Sequence, residues 1–283
     1  MSEIFDAGWL ALREAYDACA RSRAIADALI ALLPARPRLL DLGAGTGALF
    51  RWLAPRLYRA QAWTLFDADA ALLDAAFEGI ALWAEALGLR TTTPGRALLV
   101  HAPGGAWRIE AAVGDLADLA RLPLAGQHAV VNSALGDLVS APWAEALAGR
   151  LAVPFYAALL VDGRRQFLPP HPADGLLRRA FRRDQRRDKG FGPALGTRAP
   201  ALLAGAFRRR GFCVLRAPSD WRIGRAEAAM LGALVDGDAE GALGTAPREA
   251  ARIAAWRAVR AAQIVRRRLA LRVGHCDLLA IPG

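Results

Sequence analysis

The sequence predicts an α/β domain with a doubly wound, mostly parallel sheet. Two observations carry this. Short apolar runs alternate with amphipathic helical stretches along most of the 283 residues, the pattern of βαβ units with right-handed crossovers. Residues 38–47, Arg-Leu-Leu-Asp-Leu-Gly-Ala-Gly-Thr-Gly, then read as a buried strand turning sharply into a helix. Glycine at alternate positions lets backbone approach a ligand closely, and the helix start offers unpaired N–H groups and the positive end of a dipole. Such a turn at the carboxyl end of a parallel strand is where these sheets hold nucleotide-type cofactors.

The elements follow in order. From Ile4 to Leu33 apolar residues recur at three- and four-residue steps (Trp9, Leu12, Tyr16 and Cys19, then Ile25, Leu29 and Leu32), predicting two helices with Ser22 capping the second. They form an N-terminal helical unit over 1–34, ahead of a main domain over 35–283. Leu39–Leu42 is the first strand and Ala48–Leu57 its helix. Ala62–Phe66 is the second strand, ending at Asp67, and Ala70–Leu87 the second crossover helix. Arg96–His101 and Trp107–Val113 read as a hairpin around Pro103-Gly104-Gly105, the second arm continuing as the third strand to Gly114-Asp115. His128–Val131 is the fourth strand, Phe155–Val161 the fifth, Phe212–Leu215 the sixth and His275–Ile281 the seventh. Segments 164–210 and 224–272 are too long for simple connections and read as structured insertions.

Composition narrows the class. An apolar fraction of 54% supports a sizeable core, which argues against disorder. Three cysteines, Cys19, Cys213 and Cys276, are odd in number and far apart, so neither a disulfide framework nor a zinc knuckle is expected. Residues 1–6 lack the pattern of a signal peptide. No apolar run approaches the roughly 20 residues of a membrane span, and the expected location is the cytoplasm. The net charge is +10 with Lys189 the single lysine among 37 basic residues, a skew toward arginine most simply explained by GC-rich coding.

The turn also satisfies Gly-x-Gly-x-x-Ala at Gly43, Gly45 and Ala48, so a dinucleotide is the first alternative. Three features oppose it. Asp41 precedes the first glycine where dinucleotide sites keep an uncharged residue. The glycines are tightest as Gly-x-Gly-x-Gly, leaving less room for a pyrophosphate. Asp67 and Asp115 follow the second and third strands, and acids suit hydroxyl and amino groups better than phosphates.

At this point the chain resembles the class I S-adenosylmethionine-dependent methyltransferases. Asp41-Leu42-Gly43-Ala44-Gly45-Thr46-Gly47 is similar to their first motif. Leu65-Phe66-Asp67, with Ala68 following, resembles the second-strand motif whose acid holds the ribose hydroxyls. Gly114-Asp115-Leu116 resembles the motif whose acid meets the adenine amine, and Asn132-Ser133-Ala134-Leu135 the loop bordering the cofactor's methionine end. The resemblance covers about 35–223 and 275–283. It implies a seven-stranded sheet in the order 3-2-1-4-5-7-6 with the seventh strand antiparallel, N-terminal helices as a lid, and S-adenosyl-L-methionine as cofactor. Methyl transfer then proceeds by in-line displacement and asks mainly for positioning and exclusion of water.

The acceptor is less legible. Asn132, Asp137 and Asp162 fall at carboxyl ends of strands, and His171 follows strand five through Leu168-Pro169-Pro170. Asp162, His171 and Lys189 are the candidates for catalysis. On a helix over 176–189, Arg178, Arg182 and Arg186 make one row and Arg179, Arg183 and Arg187 another, suited to an anionic acceptor. Lys189 sits in a glycine-rich loop, Gly190-Phe191-Gly192, where a compact ammonium differs in kind from guanidinium. His275-Cys276-Asp277 alternates on a strand and reads as packing, so no metal is expected. The resulting expectation is methyl transfer to a small, anionic metabolite. An RNA methyltransferase using the basic segments 176–189 and 247–272, or a cofactor-binding protein without transfer activity, are the alternatives.

Overall fold

The computed structural model describes residues 7–283; the expected helical start at Ile4–Asp6 lies outside them. The order is α1 (Ala7–Ala20), α2 (Arg23–Leu32), β1 (Arg38–Leu42), α3 (Ala48–Leu57), β2 (Gln61–Asp67), α4 (Ala70–Ala86), β3 (Arg90–Thr92), β4 (Leu98–Ala102) and β5 (Gly105–Val113). After these come β6 (Ala129–Ser133), α5 (Ala141–Arg150), β7 (Phe155–Leu168), α6 (Asp174–Asp184), α7 (Ala199–Arg209), β8 (Cys213–Pro218), β9 (Trp221–Ile223), α8 (Ala228–Thr245), α9 (Ala250–Val265) and β10 (Ala270–Ile281). Ser22 does cap α2, its hydroxyl accepting from the Ile25 amide at 3.4 Å.

One ten-stranded sheet runs β3-β4-β5-β2-β1-β6-β7-β10-β8, with β9 paired to β10. Its parallel centre is β5-β2-β1-β6-β7, and β10 is antiparallel to both neighbours. Within it, β5-β2-β1-β6-β7-β10-β8 is the order 3-2-1-4-5-7-6 expected of seven strands. The count of seven is corrected to ten. β3 and β4 extend the edge beyond β5 as an antiparallel pair, and β9 adds a short arm. β3 was hidden in sequence because a three-residue edge strand, Arg-Thr-Thr, carries no apolar alternation.

Two more boundaries move. β7 continues to Leu168 and β10 starts at Ala270, so 164–168 and 270–272 are strand rather than insertion. Charged residues on the outer halves of both strands masked their period. The arginine helix ends at Asp184, not Lys189, with one further turn through Arg187. Asp277, on β10, is fully buried and accepts from the amides of Ser22 and Leu159, both at 2.8 Å, and the Tyr156 hydroxyl at 3.1 Å. It staples α2 and a β7 bulge to the sheet, in line with its reading as packing.

Three apolar cores result. One lies between the sheet and α2, α3 and α4, around Leu29, Phe50 and Trp63. A second lies under α5 and α7, around Trp143, Leu203 and Phe207. The third joins α6, α8 and α9 to the outer halves of β7 and β10, around Phe167, Trp221 and Trp256, and takes Trp9, Leu12 and Tyr16 of α1 against it. No helix among the described residues is long and apolar enough to cross a membrane.

Candidate active site

A cavity of about 670 Å³ opens at the carboxyl ends of β1, β2, β5 and β6, within the size range of small-ligand sites. Its floor is the turn after β1. Gly43, Gly45 and Gly47 have φ of 68°, 52° and 79°, a region that side chains disfavour. The amides of Gly43 and Ala44 donate to the Phe66 carbonyl (2.8 and 3.2 Å), Gly47 to Ala44 (2.9 Å), and Gly45 to Asp67 Oδ2 (2.8 Å). Four loop amides are therefore already engaged, and a pyrophosphate, which would need such amides, finds them turned away. This geometric reason against a dinucleotide is independent of the three read from sequence.

Asp67 is held from both sides, Oδ2 by Gly45 and Oδ1 by the Asp69 amide at 3.1 Å. Each carboxylate oxygen retains a further lone pair, and Asp67 lines the cavity. Asp69, which sequence reasoning missed, caps α4 through the Ala71 and Leu72 amides and lines the cavity beside it. Asp115 accepts from the Ala117 amide at 2.8 Å, and with Leu116 it forms the far wall. Gly114 lies behind it, where a side chain would strike the Phe66 ring at 2.6 Å. Gly47 likewise does not line the cavity. It starts α3 against Ile80 and Ala76 of α4.

Asp41 is 1% exposed, and neither carboxylate oxygen has a partner among the described residues. Burial pushes its pKa up to about 8, with Arg21 pulling down and Asp67 pushing further up. Arg21, also buried, donates from Nη2 to the Ser133 hydroxyl at 3.0 Å and lies 4.0 Å from Asp17, while its Nε and Nη1 have no partner among the described residues. Buried polar groups are nearly always paired. A carboxyl with both oxygens open and a guanidinium with two open donors thus line one cavity.

Arg13 and Asp17 lie on one stripe of α1, and Arg21, the residue just past its end, continues the stripe at the same four-residue step. Asp17 accepts from Arg13 Nε and Nη2 (3.0 and 3.3 Å) and from Trp221 Nε1 (3.0 Å), and Arg13 stacks over the Trp221 ring at 5.0 Å. The Arg-x-x-x-Asp-x-x-x-Arg spacing was visible in sequence, but apolar periodicity drew attention to the other face of the helix.

Of the expected catalytic residues, only Lys189 lines the cavity. Its side chain is mostly buried, 3.9 Å from Asp184. Asp188 shapes the loop by accepting from the Gly190 and Gly192 amides (2.8 and 2.9 Å), and Phe191 packs edge-on against Trp143. Pairing of Ser140 with Ala194 and of Leu195 with Val139 fastens the loop beside the end of β6. Asp162 is a correction: it lies outside the cavity and binds the Arg164 amide and Nε (2.9 and 2.7 Å). His171 is another, its Nδ1 accepting from the Ala173 amide at 3.1 Å at the start of α6. Both are engaged in turns, the ordinary use of such residues after a strand. Asn132 is buried within β6 and does not reach the cavity, whereas Ser133 and Ala134 do. Asp137 is buried, its carbonyl accepting from the Gly196 amide.

The seven central strands follow the order 3-2-1-4-5-7-6 that the sequence resemblance implies, parallel except for the antiparallel penultimate strand. Among solved structures, the chain is similar to a SAM-dependent methyltransferase from Geobacter sulfurreducens in complex with S-adenosyl-L-homocysteine. Identity is 17%, the match covers 93% of this chain and 92% of that one, and the TM-score is 0.44. The corresponding values for one from Thiobacillus denitrificans, also with S-adenosyl-L-homocysteine, are 17%, 99%, 100% and 0.44. For a Haemonchus contortus N-methyltransferase in complex with phosphomonomethylethanolamine and S-adenosylhomocysteine they are 12%, 92%, 53% and 0.42. No protein-family model and no curated protein matches the chain.

Proposed function

We propose that this chain binds S-adenosyl-L-methionine in the cavity and transfers its methyl group to a small, anionic acceptor. The observation that carries the reading is the buried couple of Asp41, whose two oxygens have no partner among the described residues, and Arg21, whose Nε and Nη1 have none, in the cavity that Asp67 and Asp115 also line. A ligand with an ammonium, a carboxylate, a vicinal diol and an exocyclic amine satisfies all four groups, whereas a dinucleotide offers the diol and the amine but no ammonium for Asp41. Arg21 would take the carboxylate through Nε and Nη1, and Asp41 the ammonium. Asp67 would take the ribose hydroxyls and Asp115 the adenine amine, both as charge-assisted acceptors.

When bound, the cofactor supplies an activated sulfonium methyl. This chain's residues then have to orient the acceptor and exclude water. Phe191, Leu138 and Leu10 give the cavity an apolar side, and Lys189 and Arg13 place positive charge beside it, which supports an acceptor with an apolar body and an anionic group. Lys189 acts as the acceptor's electrostatic anchor, and α1 serves as the lid.

Calorimetric titration with S-adenosyl-L-homocysteine and, separately, NAD tests the cofactor. Binding of the former alone is expected, and preference for NAD overturns the reading. Incubation with methyl-labelled cofactor and a fractionated metabolite extract then tests transfer. Label is expected in anionic small molecules, and label confined to RNA or absent throughout overturns the acceptor class.

A further inference from the structure

We propose that the outward face of α6 and the turn after it form a docking surface for an acidic amphipathic helix of a partner protein. Residues 174–189 carry seven basic and three acidic side chains, supplying four units of the chain's net +10. Coding bias accounts for arginine in place of lysine, but not for this concentration. Arg178, Arg179, Arg182, Arg183, Arg186 and Arg187 are all exposed. Arg187 lies 3.5 Å from Asp184. Among the described residues no carboxylate lies within 4.0 Å of the other five.

The opposite side of α6 is committed to the core through Leu176, Leu177 and Ala180, while the arginine face stays exposed. Backbone bonds from Arg186 to Arg183 (3.2 Å) and from Arg187 to Asp184 (3.0 Å) carry both rows past the helix end. Successive arginines in a row stand four residues apart, about 6 Å along the axis. Acidic residues at i and i+4 of another helix have the same pitch, and two rows against two rows permit bidentate guanidinium–carboxylate pairs. Single-stranded nucleic acid is a poorer match, because it is held by aromatic stacking between the charges. The one aromatic of this stretch, Phe181, is half-buried under the Arg165 guanidinium. The turn leads directly to Lys189, Gly190 and Phe191, so the partner would sit one loop from the cavity mouth. The surface does not depend on what the cavity binds.

The test is fluorescence anisotropy at about 0.15 M ionic strength, where charges more than about 8 Å apart are screened, on the full chain, using three labelled probes. They are a helical peptide with Glu at i and i+4 in two rows, a scrambled peptide of the same composition, and an unstructured RNA. The patterned peptide is expected to bind best. The R178E/R182E/R186E variant should weaken that binding by at least about tenfold, and the R178Q/R182Q/R186Q variant by about threefold. The R225E/R266E/R268E variant makes the same charge change at exposed arginines elsewhere, and should weaken it by less than about twofold. Equal loss in both Glu variants, equal binding of the scrambled peptide, tighter binding of RNA, or no binding at all each overturns the proposal. Should the Glu variant fail to fold, the Gln variant and the scrambled peptide decide.

Discussion

The two walls of the cavity are built differently. The carboxylate wall, Asp41, Asp67, Asp69 and Asp115, comes from the carboxyl ends of the sheet or the residues just beyond. Three of these acids are fixed by backbone amides at 2.8 to 3.1 Å. The cationic wall, Arg13, Arg21 and Lys189, comes from α1 and the 188–192 loop. Its members are held by other side chains: Asp17, Ser133, Trp221 and Asp184. Backbone anchoring makes the first wall a property of the topology. Side-chain anchoring leaves the second open to change without refolding the sheet, as expected of the part that sets specificity.

The strongest way to break this contrast is Arg21→Ala. It removes the buried guanidinium and should lower S-adenosyl-L-homocysteine affinity by about 2–4 kcal/mol, measured by calorimetry; a loss below about twofold would show that Arg21 is structural only. Asp67→Ala should cost about 1.5–3 kcal/mol in the same titration, the scale of hydrogen bonds to a charged group. It should also loosen the glycine turn through loss of the Gly45 contact, visible as faster amide exchange at Gly45.

Asp41 sharpens the comparison through pH. Its carboxyl holds a proton in the free protein up to about pH 8, and an ammonium ligand favours the ionised form. Binding below that pH should release a proton, and affinity should rise by up to about tenfold per unit toward pH 8. Above it affinity should fall once the ligand's own amine deprotonates. Asp41→Asn should flatten the rising limb. The unfolded chain gives up this proton above 3.8, so the group's contribution to apo stability is greatest below 3.8. It is lost as pH rises to about 8, and Asp41→Asn should remove that decline in melting temperature. The smallest effect belongs to Lys189→Ala, expected to leave S-adenosyl-L-homocysteine affinity within about twofold while lowering transfer to the acceptor by about fivefold. An equal loss of both would place Lys189 in the carboxylate wall's task instead.

The same division explains what could be read from sequence. Asp41, Gly43, Ala44, Gly45, Asp67, Ala68, Asp115, Leu116 and Ser133 were all legible and all line the cavity. Each stands in or beside a strand end, where local pattern and topology coincide. Asp162 and His171 were chosen by the same positional rule and are engaged elsewhere, because β7 runs seven residues beyond its expected end at Val161 and carries its neighbours away from the mouth. Arg13, Asp17 and Arg21 were missed because their place depends on how α1 docks, a long-range packing event without local signature. Strands β3 and β9, three residues each, are too short to leave a period.

α1 and the residue after it present Leu10, Arg13, Asp17 and Arg21 to the cavity, while Trp9, Leu12 and Tyr16 of α1 pack against the apolar core of α6, α8 and α9. A single helix is thus a shared wall, and occupancy on one side must be felt as order on the other. Ligand that engages Arg21 should slow amide exchange in α8 and α9, which have no contact with the cavity, and loosening of the helical layer should weaken the ligand by the same factor. Sensitivity to the ligand then reaches α8 and α9, well beyond the residues that touch it.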